Sequence, residues 1–220
     1  MRLGCLHAHH SNIALISDGL CIDGLALTHF VDPGVLIRSE LSGHFPDEAS
    51  RAKIREQLQW IAACGVDAIL ITCTQYIAGM QPEDENCVDL PIIKLDEPFF
   101  HDVSSSSGSH RLLFSNPATI KGTMARYHSF AHVRSSETDV RAELVPDSFP
   151  LLMSGRTAEY REAIYHGLQV LAKRGEPESI SVAQLSMVPA AELFEASTGR
   201  PIGNPLKSLR AEIERILFPS

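Results

Sequence analysis

A cysteine and a serine that each follow a predicted strand are the residues of this 220-residue sequence best suited to chemistry. Cys73 comes directly after the apolar run 68–72 and is followed by Thr74 and Gln75. A thiol at a helix start can have its pKa lowered from ~8.5 to ~3.5–7.5, because the helix dipole stabilises the thiolate. Thr74 and Gln75 offer a hydroxyl and an amide that can hold a carboxylate oxygen. Ser186 follows a strand predicted over 180–185.

Both residues also have a purely structural interpretation. A free cysteine is usually a small buried hydrophobic residue, which is the interpretation we give to Cys5, Cys21, Cys64 and Cys87. A serine before a helix is often its N-cap, and this alternative stays open for Ser186. The position of Cys73 between a strand and a polar pair favours the catalytic interpretation.

The elements around these two residues follow one plan. Asp47 is a predicted N-cap, apolar residues recur at helical spacing from Ile54 to Ala62, and Gly65 ends that helix before the strand 68–72. In the second half, a helical face from Tyr160 to Leu171 ends at Gly175 before the strand 180–185. Strands alternating with helices predict an α/β protein with a mainly parallel sheet.

Further elements complete this prediction. A further strand is predicted over 111–115, and weaker strand signals cover 3–7, 25–31, 92–95 and 141–145. The serine-rich stretch 104–109 predicts a flexible loop or lobe boundary. Asn204 and Pro205 predict the start of a closing helix with apolar residues on one face as far as Leu217.

Four segments, in order along the chain, resemble the aspartate/glutamate/hydantoin racemase superfamily. Residues 64–75, CGVDAILITCTQ, are similar to its first catalytic-cysteine segment, and residues 28–34, THFVDPG, to its second-strand segment. Residues 180–187, ISVAQLSM, resemble its second catalytic segment, and residues 199–204, GRPIGN, the approach to its last helix.

The resemblance implies two similar α/β lobes related by a pseudo-twofold axis, with the active-site cleft between them. It places residues 1–95 and 200–220 in the first lobe and 96–199 in the second. It also implies cofactor-independent deprotonation alpha to a carboxylate, with one thiol on each face of the substrate, while some relatives decarboxylate or isomerise with one cysteine.

The residues that match the family pattern follow from the same resemblance. Cys73 matches the first thiol and Thr74 a carboxylate-binding neighbour, while Asn12, Asn116 and Thr119 match ligand contacts. Ser186 stands where the two-thiol pattern has cysteine, and an unassisted hydroxyl is not a useful base at neutral pH. We therefore expect an isomerase that uses Cys73 on a small amino acid or dicarboxylate, with one-thiol lyase or decarboxylase chemistry open, or else a non-catalytic carboxylate-binding protein.

A histidine cluster near the start supports a rival hypothesis. His7 and His9, with His10 beside them, resemble the opening H-x-H of metal-dependent phosphoesterases, since two histidines at i and i+2 on a strand can grip one metal. That family also requires an acidic or histidine pair after the next buried strand, where this chain has Cys73 and Thr74. The prediction therefore includes no metal ligands.

Composition limits the partners. The chain has 27 acidic and 19 basic residues and a net charge of −8, which disfavours nucleic acid. It contains no apolar run of the ~20 residues that a membrane span needs, and no glycine-rich nucleotide loop. Five cysteines without close pairing and no recognisable signal peptide favour the cytoplasm. We expect a small carboxylate or amino-acid substrate, no cofactor, no membrane partner and a homo-oligomer as an open option.

Overall fold

The computed structural model describes residues 1–42, 47–106, 108–174 and 179–219. The predicted helix end at Gly175 and Ser107 of the predicted flexible loop lie outside the described residues. The chain divides into two compact units. Met1–Glu97 and Leu209–Ser220 form the first, and Pro98–Ser208 forms the second.

The first unit is built on a four-stranded parallel sheet with the strand order β2-β1-β3-β4. Its elements, in chain order, are β1 (Arg2–His7), α1 (Asn12–Gly19), β2 (Ala26–Val31), α2 (Gly34–Ser42), α3 (Glu48–Ala63), β3 (Ala68–Ile71), α4 (Thr74–Gly79), α5 (Pro82–Glu85) and β4 (Ile92–Lys94).

The second unit is built on a three-stranded parallel sheet with the order β6-β5-β7. Its elements are α6 (Glu97–Ser105), β5 (Ser109–Phe114), α7 (Pro117–Val133), β6 (Asp139–Leu144), α8 (Ser148–Met153), α9 (Thr157–Lys173), β7 (Ser179–Val182), a 3₁₀ turn (Leu185–Met187), α10 (Val188–Thr198) and α11 (Pro205–Leu217). The two boundaries between the units fall inside helices, one between Glu97 and Pro98 at the start of α6 and the other after Ser208, so most of α11 belongs to the first unit. The predicted α/β class with parallel sheets is confirmed.

The segment that leads to Cys73 forms as its sequence predicts. Asp47 caps α3 by accepting a hydrogen bond from the Ser50 amide at 2.8 Å. Ile54, Leu58 and Ile61 are buried on one face of α3, and all four residues of β3 are buried. Close packing of α3 on β1 requires Gly4, since a Cβ there would lie 2.6 Å from Ile61 Cγ2.

The core of the second unit is aromatic. Phe100 packs edge-on against Tyr127 with ring centroids 5.7 Å apart, and both are almost fully buried with Phe99, Leu112 and Phe114. This cluster fixes α6 and α7 against β5. Burial of such large rings is the main stabilising contribution available to a small sheet.

Two predicted segments differ from the structure. The strand predicted over 180–185 ends at Val182, and the residues after Gln184 turn into the 3₁₀ helix. The serine-rich stretch is not one loop, because Ser104 and Ser105 end α6 and Ser109 begins β5. The hydroxyls of Ser104 and Ser105 donate to the carbonyl of His101, which satisfies the last turn of the helix locally.

None of the helices in the four described ranges is long and apolar enough to cross a membrane.

Candidate active site

Cys73 lies at the carboxyl end of β3, where open parallel sheets place their ligands. Its backbone is extended and it is the N-cap of α4, with a half-buried side chain. Thr74 and Gln75 follow in the first turn of α4 with exposed side chains. The next residue, Tyr76, is buried, and its hydroxyl donates to the carbonyl of Asp32 at 2.7 Å, which anchors α4 on the segment after β2.

Asn12 reaches the same end of the sheet from α1. Its amide donates to the hydroxyl of Thr72 at 3.4 Å, and Thr72 precedes Cys73 in the chain. The Thr72 hydroxyl in turn donates to the carbonyl of Leu6 at 3.2 Å, across the pair β1–β3. Of the residues predicted for the first lobe, the structure therefore brings Asn12 to the segment that contains Cys73, Thr74 and Gln75.

A chain of hydrogen bonds leads from Thr72 through two histidines to Ser17. His7 Nδ1 lies 2.8 Å from Thr72 Oγ1, His7 Nε2 lies 2.9 Å from His29 Nδ1, and His29 Nε2 lies 3.1 Å from Ser17 Oγ. Because the Thr72 hydroxyl donates its proton to a carbonyl, it accepts from His7 Nδ1. His7 Nε2 then accepts from His29 Nδ1, and His29 Nε2 accepts from the Ser17 hydroxyl. Burial, and then the neighbouring His29, lower the pKa of His7 to about 4, so this ring is neutral at neutral pH.

The histidine pair of the rival hypothesis is not formed. β1 ends at His7, so His9 lies in the following turn, where it is exposed and hydrogen-bonds Ser11. His10 lies beside His9 at the surface, with the two rings tilted and their centroids 4.3 Å apart. Within the described part of the chain, the group of side chains close enough to share a metal ion is instead Cys5, His7 and His29.

In the second unit, the side chain of Gln184 forms hydrogen bonds with the polar residues at the end of β5. Its side-chain oxygen accepts from the Ser115 amide at 2.8 Å, from the Ser115 hydroxyl at 2.8 Å and from the Asn116 amide at 3.1 Å. Its side-chain nitrogen donates to the Thr119 hydroxyl at 3.5 Å. Asn116 caps α7 through the Ala118 amide. The predicted contacts Asn116 and Thr119 are thus joined through a residue that sequence reasoning did not select.

Ser186 belongs to the same network through Tyr160. The Tyr160 hydroxyl donates to Ser115 Oγ at 3.0 Å and lies 2.8 Å from Ser186 Oγ. Since the phenol has a single proton, Ser186 must donate to Tyr160, and the chain continues through Ser115 to the Gln184 oxygen. Burial raises the pKa of Tyr160, against the opposing effect of its two serine partners, so the phenol stays neutral.

Gln184 also occupies the position in its unit that Cys73 occupies in the other. Each is the second residue beyond its strand, each has an extended backbone, and each is the N-cap of the helical turn that follows. Ser186 lies two residues further on, inside the 3₁₀ turn. The apolar pattern predicts that the strand ends at Leu185, whereas β7 ends at Val182. The second residue after Val182, which is the position of Cys73 relative to β3, is Gln184.

The fold itself is known from solved structures. Allantoin racemase from Klebsiella pneumoniae superimposes with a TM-score of 0.67 over 99% of this chain and 87% of the other, at 14% identity. Aspartate racemase from Picrophilus torridus gives 0.63 over 97% and 93%, at 15% identity. A glycine-to-cysteine mutant of arylmalonate decarboxylase gives 0.64 over 100% and 94%, at 13% identity. At the level of sequence, no family model and no curated protein matches the chain.

These similarities define the class of fold. The chain has the fold of the aspartate/glutamate/hydantoin racemase superfamily, as the four sequence segments predicted.

Proposed function

We propose that this chain is a cofactor-independent isomerase-like enzyme that moves a proton alpha to the carboxylate of a small amino acid or dicarboxylate. The observation that carries the proposal is the place of Cys73, a half-buried thiol at the carboxyl end of β3, in a fold shared with racemases and a decarboxylase. A thiolate there removes the alpha proton, and the resulting thiol returns a proton to the carbon.

The residues around Cys73 support carboxylate binding. Asn12 contributes an amide, and Thr74 and Gln75 contribute a hydroxyl and a second amide on exposed positions of α4. These groups are neutral hydrogen-bond donors, so they can hold a carboxylate without an ion pair. Asn116 and Thr119 are the corresponding proposed contacts from the second unit.

The hydroxyl network of the second unit favours chemistry with a single thiol. Ser186 donates its proton to a neutral phenol, so this contact supplies no base that could activate the hydroxyl. Gln184, at the position equivalent to Cys73, has no titratable proton at all. We therefore propose that Cys73 carries the proton transfer and that Ser186 contributes a hydrogen-bonding hydroxyl rather than an acid–base group.

A one-thiol decarboxylase or lyase is the second candidate, and the same glutamine favours it. Loss of carbon dioxide from a malonate-type acid leaves a carbanion that needs one proton donor, and one thiol is sufficient for that step. Racemisation in both directions needs a second acid–base group. The non-catalytic binder predicted above keeps the carboxylate contacts but performs neither reaction.

The first experiment identifies a ligand and then a reaction. Thermal-shift screening of amino acids, hydantoins and malonates detects even weak binding, because stabilisation grows with the logarithm of ligand concentration over Kd. Hits are then incubated in deuterium oxide, and NMR and chiral analysis of the same samples measure alpha-proton exchange, decarboxylation and inversion.

The expected result is exchange or decarboxylation with a strong preference for one enantiomer or one prochiral group. Efficient inversion in both directions would contradict the one-thiol proposal. Binding without any reaction would support the carboxylate-binding alternative, and failure of every carboxylate to bind would contradict the proposed substrate class.

A further inference from the structure

Three potential metal ligands meet on one face of the first unit's sheet. Cys5 and His29 are register partners on β1 and β2, and His7 follows Cys5 by two residues, so all three side chains project from the same face. Their ligand atoms lie within 4.8 Å of one another. Cys5 and His7 are fully buried, while His29 is partly exposed and leaves a route from solvent.

From this arrangement we propose that Cys5, His7 and His29 form a binding site for a divalent transition metal of the zinc class. The donor set is one thiolate sulfur and two imidazole nitrogens, which select zinc-like ions over Mg²⁺ or Ca²⁺. The fourth position of a tetrahedral ion is left for a water molecule or a small anion. The proposal goes beyond the proposed function, because it assigns no step at Cys73 to the metal.

The distance between the two imidazole nitrogens is close to the one that such an ion requires. Zn–N bonds of ~2.0–2.1 Å at a tetrahedral angle separate two ligand nitrogens by about 3.4 Å. His7 Nε2 and His29 Nδ1 are 2.9 Å apart, so each nitrogen needs to move by a few tenths of an ångström. His29 is the less buried of the two rings.

The outer nitrogens already have the partners that orient metal-binding histidines. Ligating imidazoles usually donate their second N–H to a hydrogen-bond acceptor, which fixes the ring and its tautomer. His7 Nδ1 faces the Thr72 hydroxyl and His29 Nε2 faces the Ser17 hydroxyl. His7 is thereby held with the Nε2 lone pair turned inward, and His29 reaches the required tautomer by moving one proton from Nδ1 to Nε2.

The protonation states fit a site that is reduced and neutral before the metal binds. Burial raises the pKa of Cys5 to about 12, so this sulfur is a thiol that a bound metal must deprotonate. One proton leaves to solvent on binding, and the site then holds a net charge of +1 with a divalent ion. The neutral His7 ring offers its lone pair without losing a proton.

The test uses the full chain, kept reduced and stripped of metal by a chelator. Competition with a chromophoric zinc indicator measures affinity and stoichiometry, and Co²⁺ serves as a spectroscopic probe. We expect one Zn²⁺ per chain and a near-ultraviolet thiolate-to-cobalt charge-transfer band that disappears when Zn²⁺ is added. Cys5→Ser should abolish this band, and His29→Gln should lower zinc affinity at least tenfold, with circular dichroism confirming that each variant is folded.

Matched variants separate this site from its neighbours. His9→Gln tests the exposed histidine of the rival H-x-H pair, and Cys21→Ser tests an exposed cysteine near the end of α1; both should retain full zinc affinity. Cys73→Ala should also retain the cobalt band, although under the proposed function it loses the proton transfer.

Three results would overturn the proposed metal site. These are wild-type protein that binds no zinc at micromolar concentration, a cobalt band that survives Cys5→Ser, and a band that disappears in His9→Gln or Cys73→Ala. The first result would mean that the pair His7–His29 holds a shared proton only. The first two results leave proton transfer by Cys73 untouched, and NMR exchange in the zinc-free protein tests that transfer separately, so the two proposals can fail independently.

Discussion

The two units place different side chains at the same point of a common local design. In the first unit a strand ends at Ile71, and Cys73 caps the helix that follows. In the second unit a strand ends at Val182, and Gln184 caps the turn that follows. The thiol is half-buried next to exposed hydroxyl and amide groups, whereas the glutamine oxygen accepts three hydrogen bonds from Ser115 and Asn116.

This difference shows how one backbone design can serve two purposes. A residue between a strand end and a helix start can contribute a titratable group at the end of the sheet, or it can hold the neighbouring strand end together. Cys73 fits the first description and Gln184 the second. The comparison therefore predicts that Cys73 is a reactive residue and that Gln184 has a structural role.

Removal of the thiol should have the largest effect on this comparison. Cys73→Ser should reduce alpha-proton exchange by ~10²–10⁴-fold, which is the usual contribution of a general acid–base group. Exchange is measured by NMR in deuterium oxide on a substrate found by screening. Cys64→Ser, at an exposed cysteine of the same unit, is the control and should retain full activity. Equal loss in both variants would remove the special role of Cys73.

The ion pairs of the two units should differ in what they contribute to stability. Asp84 is almost fully buried and pairs with Arg51 at 3.0 Å and Arg55 at 2.5 Å. Burial opposes its charge, but Arg51, the Gln81 amide and Arg55 together lower the pKa of Asp84 to about 2.

Asp84→Asn leaves these arginines without their buried partner and should lower the free energy of unfolding by about 3 kcal/mol. The matched change is Glu143→Gln in the second unit, whose carboxylate pairs with Arg111 and Arg174 but is one-quarter exposed. It should lower the free energy by less than ~1 kcal/mol. Urea unfolding measures both, and equal losses would contradict the distinction drawn from burial.

His110, in the second unit, should make the free energy of unfolding fall in acid. His110 is buried between the hydroxyls of Ser106 and Ser181, and burial lowers its pKa to about 4 from the ordinary 6.5. Below pH 6.5 the unfolded chain binds a proton that the folded protein excludes, so stability is lost as the pH falls from 6.5 to 4.

At 1.36 kcal/mol per pKa unit, this loss amounts to about 3 kcal/mol. His110→Gln should remove that part of the pH dependence in urea unfolding measured between these two pH values. His166→Gln, at an exposed histidine of α9, is the control. An unchanged pH profile for His110→Gln would show that folding does not lower the pKa of His110.

We expect the smallest effect when a second thiol is introduced into the second unit, and this change tests directly which residue there is equivalent to Cys73. Gln184→Cys places a thiol where the second unit matches Cys73, and Ser186→Cys places one in the 3₁₀ turn. We expect Gln184→Cys to raise inversion relative to exchange by about tenfold, or 1.4 kcal/mol, and Ser186→Cys to raise it less. Chiral analysis of the exchanged samples gives both ratios. The reverse order would make Ser186 the second catalytic position.

Much of the fold could be predicted because its signals are local. The buried run of β3, the Asp47 cap of α3 and the amphipathic α11 each follow from residues a few positions apart. Those elements also placed Cys73 at a strand end without any knowledge of tertiary contacts. The end of β7 was misplaced because Ala183 and Leu185 continue its apolar pattern, although the backbone has already turned.

The networks could not be predicted, because they join residues that are distant in sequence. His7 and Thr72 are 65 positions apart, and Ser115 and Gln184 are 69 apart. Spacing suggested His7 with His9, but the strand ends between them and the partner is His29 on the neighbouring strand. Such pairings depend on which strands become neighbours, and the spacing of residues within one strand does not give that order.

The division inside α11 has a consequence for the order in which the protein is made. The first unit contains both Met1–Glu97 and Leu209–Ser220, whereas the second is one continuous segment between them. During synthesis, the ribosome therefore releases every residue of the second unit before it supplies the last helical turns of the first. We expect the continuous segment to fold first and the earlier-made residues to wait, exposing the apolar surface that Leu209, Ile213 and Leu217 later cover.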